Sequence, residues 1–147
     1  MSARRGLAAL ALALGLGLTG LAQAHKPSDA YLTLSVDERG VVTQRLDIAL
    51  RDLAREVDLD RDDDAELRWG EVRAAWPQLA PWSAEQVVLQ RGERRCEAGE
   101  AAPPAIDQHG DGPYLVIRRS WDCGAGAAPL ALRYHLFQQT EIGRAHV

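Results

Sequence analysis

The sequence predicts a mainly β domain: an antiparallel, sandwich-like fold interrupted by an EF-hand-like helix–loop–helix insertion over about residues 51–80. Three observations predict it. Short alternating apolar segments bounded by turn residues flank the middle of the chain, the spacing turns helical there, and an acidic run separates the two helical segments.

Residues 30–36 (AYLTLSV) alternate as a half-buried strand does, residues 37–40 make a turn, and residues 41–50 read as the hairpin partner. Leu50, Leu53, Ala54 and Val57 then fall at i, i+3, i+4 and i+7, one face of a short helix. Val72, Ala75, Trp76 and Leu79 repeat that spacing beyond the acidic stretch. Pro77 disfavours the α conformation at Trp76, so this second helix is expected to break or restart there. The strand signal returns over residues 86–90, followed by a turn at Arg91-Gly92-Glu93. Residues 97–104 read as a loop and 109–112 as a turn. Two further strands are expected over 114–123 and 130–137.

The N-terminus carries an export signal. Arg4 and Arg5 precede an uncharged run of Leu, Ala and Gly over residues 7–21, broken only by Thr19, and Ala22-Gln23-Ala24 offers the small-x-small pattern of a cleavage site. The run falls short of the about 20 apolar residues of a comfortable transmembrane helix. Residues 1–24 therefore read as a signal peptide and residues 25–140 as one extracytoplasmic domain, periplasmic in a bacterium. In an exported domain the two cysteines predict a disulfide, Cys96–Cys123, which stabilises by about 3 kcal/mol on the chain-entropy model. A net charge of −4 and the lack of a Lys/Arg cluster argue against a nucleic-acid partner.

The acidic stretch aligns with the twelve-residue EF-hand loop. Asp60, Asp62 and Asp64 take positions 1, 3 and 5, the Glu66 carbonyl position 7, and Glu71 the bidentate position 12. Ca²⁺ wants six to eight hard oxygen ligands, which alternate residues of a curled loop can point inward. Two positions depart from the pattern. Ala65 stands where the turn asks for Gly, and Arg68, at position 9, brings a positive charge near the ion. The loop thus reads as a degenerate, weak Ca²⁺ site, and Leu67, lacking a partner loop, is expected to pack on the sheet.

Other polar residues carry less. His25, the first residue of the mature chain, can chelate Cu²⁺ or Ni²⁺ through its amine and imidazole, which offers an alternative function: a free-standing periplasmic metal-binding protein. Asp107, His109 and Asp111 alternate but are bracketed by turn glycines and read as a polar hairpin turn. His135 is expected to face solvent or make one hydrogen bond. No Ser/His/Asp or Cys/His constellation, paired acids or phosphate loop is evident, so the reading is non-catalytic.

Four segments together resemble one bacterial group: residues 24–32 (AHKPSDAYL), 47–53 (DIALRDL), 68–71 (RWGE) and 111–118 (DGPYLVIR). They are similar to the exported N-terminal region of HupE/UreJ-like membrane proteins, over nearly the whole mature chain. The resemblance implies a head domain followed by transmembrane helices, in a family associated with nickel or related metal transport. Residues 141–147 (EIGRAHV) match what a common sequencing-library adapter encodes in this frame. They read as a non-native tail, with the natural chain expected to continue past Thr140 into those helices.

Overall fold

A computed structural model describes residues 29–64, 66–138 and the backbone of 144–146. The expected signal peptide (1–24), His25 and Ala65 lie outside the described residues, as do residues 141–143 and 147 of the expected tail.

The described residues form a mainly β domain with two antiparallel sheets and two helices. β1 (Asp29–Val36) and β2 (Val41–Ala49) form the expected hairpin, paired from Ala30↔Ile48 to Val36↔Val42. Its turn is tight: the Asp37 carboxylate accepts from the amides of Arg39 and Val41. Gly40 has φ +82°, and a Cβ there would meet the Gly124 carbonyl oxygen at 1.9 Å, so only glycine fits. The short helix α1 (Leu50–Glu56) follows directly, with Leu50, Asp52 and Leu53 buried. α2 (Trp69–Gln86) leads into β3 (Val87–Arg91) and β4 (Arg94–Arg95). β5 (Glu97–Ala98), β6 (Ala105–His109), β7 (Gly112–Asp122), β8 (Leu130–Tyr134) and β9 (Arg144–His146) complete the chain.

The larger sheet runs β5-β7-β2-β1-β9, with β6 also on β7; the smaller runs β4-β3-β8. All pairings are antiparallel except β9, whose residues 144–146 lie parallel to Asp29–Tyr31. The spine of the larger sheet is the ladder from Val41↔Asp122 to Ala49↔Tyr114. Because side chains alternate, one face of it carries Val42, Gln44, Leu46 and Ile48 against Trp121, Arg119, Ile117 and Leu115, and this face is the core. The other carries Thr43, Arg45 and Asp47 against Ser120, Arg118 and Val116.

α2 departs from the expected break: it runs unbroken through Pro77 and Pro81. Each proline withholds one amide, freeing the carbonyl four residues earlier. Arg73, Pro77 and Pro81 lie four apart on one exposed stripe, so the freed carbonyls of Arg73 and Pro77 face water rather than the core. Val72, Leu79 and Ser83 hold the opposite face buried.

Two further differences concern β-structure. The segment expected as a loop over 97–104 contributes β5, and its Gly99 and Ala102 amides donate to the Ser120 and Arg118 carbonyls of β7. Residues 109–112 make the expected hairpin turn, but Asp107 and His109, read as part of it, lie on β6, which pairs Ala105↔Val116 to His109↔Gly112.

Cys96 and Cys123 are bonded, as expected, with Cα atoms 4.3 Å apart. Cys96 stands where the chain leaves the smaller sheet at β4 and joins the larger at β5, so the bond ties the two sheets. It is compatible with an oxidising, extracytoplasmic location. No described helix is long and apolar enough to cross a membrane. Replacing both cysteines by serine is expected to lower unfolding stability by about 3 kcal/mol, read from urea melts, on the chain-entropy model. An unchanged midpoint would show that the sheets hold together without the bond.

Candidate functional sites

Among the described residues, two side-chain clusters bring together three potential metal-ligating groups, Asp60/Asp62/Glu71 and Asp47/Asp107/His109, with ligand atoms within 4.8 Å of one another in each.

The first is the acidic loop. α1 stops at Glu56, so residues 57–59 separate it from Asp60, and buried Leu59 pins the base of the loop. α2 begins at Trp69 and thereby sets Glu71 in its first turn, facing back over the loop. Its carboxylate accepts from the Arg61 amide through Oε1 (2.8 Å) and the Arg68 amide through Oε2 (2.9 Å), closing the loop across its neck. Asp63 takes φ 56°, a conformation aspartate tolerates better than most residues. Leu67 packs against the core, as expected.

Of the five expected ligands, the side chains of Asp60, Asp62 and Glu71 converge. Asp64 instead accepts from the Glu66 amide at 2.9 Å and pairs with Arg68. Arg68 also reaches Asp62 at 3.2 Å and the Glu66 carboxylate at 3.3 Å. It therefore leans on one side of the loop and neutralises part of the charge there. Burial and the charge of Asp64 push the Asp62 carboxyl above its ordinary range, as crowded carboxylates do.

The second cluster escaped the sequence reading, which placed Asp107, His109 and Asp111 in a turn. Asp107 and His109 lie two apart on β6 and so share a face; only Asp111 belongs to the turn. Through β7 that face is continuous with Asp47 and Arg45 of β2 and Tyr31 of β1. The His109 ring stacks on Tyr114 (centroids 4.0 Å) and Tyr31 (5.1 Å), and its Nε2 meets the Asp47 carboxylate at 3.0 Å. Asp47, 3 % exposed, also accepts two bonds from Arg45, at 2.8 and 2.7 Å, and Arg45 continues to Asp107.

Beyond Tyr114 the network goes on. Its hydroxyl donates to Asp111, which accepts from Arg51 at 2.6 Å, and Arg51 reaches Asp29 at 3.0 Å. Burial and the carboxylate of Asp111 hold the Tyr114 phenol far above its ordinary pKa, so it remains a donor. Geometrically this trio is a possible ion site, but the Arg45 guanidinium already bridges both carboxylates. The chain supplies its own cation, and the arrangement is a latch joining β1, β2, β6 and β7. The one sequence signal for it was a lone acid, Asp47, inside an otherwise apolar strand end. His135 is exposed and makes one weak contact, to Gln138 at 3.3 Å, as expected.

Two outcomes test the latch. Asp47→Ala strands His109 and leaves Arg45 only Asp107, and is expected to cost about 1–3 kcal/mol in urea melts; a neutral result would mean that both re-solvate freely. The Arg45 bond and the Gln108 amide hold the Asp107 carboxyl below its ordinary range. Its stabilisation is therefore fully present above the unfolded-state pKa of about 4 and is lost as pH falls through the lower folded value. Asp107→Asn should flatten the acid limb of the melting curve below pH about 4, and an unaltered limb would remove Asp107 from the latch.

Compared with protein-family models, with curated proteins and with solved structures, the chain finds no match in any of the three.

Proposed function

We propose that this chain is a non-catalytic, extracytoplasmic β domain that holds Ca²⁺ weakly in the loop between α1 and α2. The observation carrying this reading is the convergence of Asp60, Asp62 and Glu71 at loop positions 1, 3 and 12, with Glu71 on the first turn of the exiting helix. These are hard oxygen donors with no nitrogen or sulfur among them, which favours Ca²⁺ or Mg²⁺ over transition metals.

Arg68 sets the strength. To complete the shell with Asp64, Ca²⁺ must displace a guanidinium held by Asp62, Asp64 and Glu66. Binding is therefore weak, and at extracytoplasmic Ca²⁺ levels the ion serves structure rather than switching: it would tie the neck of the loop to α2.

The wider setting rests on the resemblance to HupE/UreJ-like proteins and on the disulfide. In that setting the domain is the exported head of a membrane protein whose helices follow Thr140, in a family associated with metal transport. Genomic sequence past codon 140 that encodes hydrophobic spans supports this, and a genuine stop codon at that point overturns it.

The Ca²⁺ reading is tested by melting. Millimolar Ca²⁺ is expected to raise the Tm, Glu71→Gln to abolish the rise, and Arg68→Gln to tighten binding by about threefold to tenfold. No shift at millimolar Ca²⁺ sinks the site, and a loosened Arg68→Gln variant would sink the displacement argument.

A further inference from the structure

Arg119 is a buried charge that neither cluster uses. It sits on β7, 6 % exposed, on the core face opposite Gln44. Its NH2 donates to the Ala80 carbonyl (2.5 Å) and the Ser83 hydroxyl (2.6 Å), and its NH1 makes a long contact with the Gly99 carbonyl (3.4 Å). All three acceptors are neutral. Its Nε is buried and makes no hydrogen bond, and among the described residues no carboxylate comes within ion-pair distance. The Trp121 ring, 5.9 Å away, gives only a partial substitute. Directly across the ladder, Gln44 spends its Oε1 on the Trp121 indole at 2.7 Å and leaves Nε2 buried without an acceptor.

Buried charges are ordinarily paired, because desolvation otherwise disfavours the charged form. Burial does lower the Arg119 pKa, but a guanidinium stays charged at any working pH. The missing anion has a route in. Arg119 lines a cleft of about 680 Å³ between α2 and β5, a size suited to a small organic ligand. Its lining is mixed: Trp76, Pro77, Pro81 and Trp121 give it apolar surface, and Glu85, Arg95 and Glu100 give it charge.

We propose that this cleft binds a monocarboxylate with an apolar body, its carboxylate on the Arg119 guanidinium and its body against Trp76 and Trp121. A carboxylate supplies the charge that the neutral acceptors lack, and Nε and NH1 still have hydrogens to give it. Glu85 and Glu100, which outnumber Arg95 on the lining, argue against a second negative charge, and Trp76 and Trp121 offer an apolar body a surface. A free organic acid and the C-terminal carboxylate of a peptide share this chemistry.

The test uses the full mature chain and tryptophan fluorescence, checked by calorimetry. The probes are 3-phenylpropionate, its neutral amide, inorganic phosphate, and the tripeptide Ala-Leu-Phe with a free or amidated terminus. Saturable binding of the carboxylates is expected, with the amides and phosphate weaker by at least about tenfold. A tripeptide acid tighter than phenylpropionate assigns the cleft to chain ends, and the reverse assigns it to free acids. Arg119→Gln is expected to abolish binding. Should that variant fail to fold, Trp76→Ala, on the half-buried face of α2, is expected to weaken binding several-fold while melting near the parent. No saturable binding up to about 10 mM, equal binding of acid and amide, or phosphate binding as tightly as the acids overturns the proposal.

Discussion

The antiparallel ladder between β2 and β7 decides where every other feature of the domain lies. A strand's side chains alternate, so the register Gln44↔Arg119 and Asp47↔Val116 sends Gln44 and Arg119 to the core face, and Asp47 to the other. A slip of one residue would put Leu46, Ile48, Ile117 and Leu115 into water and bury Arg45 and Arg118. That cost fixes the register, and the polar groups ride along on whichever face the apolar ones leave them. The disulfide reinforces it from the end, where Cys123 directly follows β7 and its amide donates to the Gly40 carbonyl at 3.1 Å.

The two faces answer the problem of buried polarity differently. Asp47, on the outer face, is nearly as inaccessible as Arg119, yet it is surrounded by Arg45 and His109 and closed over by Tyr31 and Tyr114. Its charge is matched locally, and the half-exposed Arg45 keeps contact with water. Arg119 on the core face has only carbonyls, a hydroxyl and an aromatic ring. Neutral acceptors satisfy directional donors but do not cancel a net charge, so one face is electrostatically complete and the other is not.

How much of this was legible in the sequence follows from the range of the interactions. The β1–β2 hairpin, α1, the start of α2 and β7 are local patterns of period 2 or 3.6, and each stands near its expected bounds; β8 stops at Tyr134, short of the expected 137, because the chain turns there and Phe137 takes φ 64°. Cysteine pairing was legible because only two cysteines exist. The helix break at Pro77 was expected because proline rules describe one residue at a time. They do not see that a second proline four residues on repeats the same solvent-facing stripe. β6 was hidden for a related reason: its five residues, AIDQH, hold two apolar side chains, and what fixes it is pairing with β7 rather than its own pattern. The latch was invisible because Tyr31, Asp47 and His109 meet only once three strands are in register. The loop's spacing was legible, but the turn of Asp64 towards Arg68 was not, since a motif template assigns position 9 no competing role.

α2 shows how these polar contacts divide the labour with the core. It is 18 residues long and fully buries only Val72, Leu79 and Ser83, while Ala75, Trp76, Trp82 and Ala84 pack partly buried against the core. Apolar packing is not directional, so by itself it locates a helix loosely along its own axis. Two directional anchors supply what is missing. Glu71 fixes its first turn by accepting the Arg61 and Arg68 amides, and Arg119 fixes its middle by donating to Ala80 and Ser83. Nine residues separate Glu71 from Ala80, about 14 Å of helix, so the anchors constrain both tilt and sliding. A ligand acting at either anchor therefore acts on a helix that the other anchor also holds.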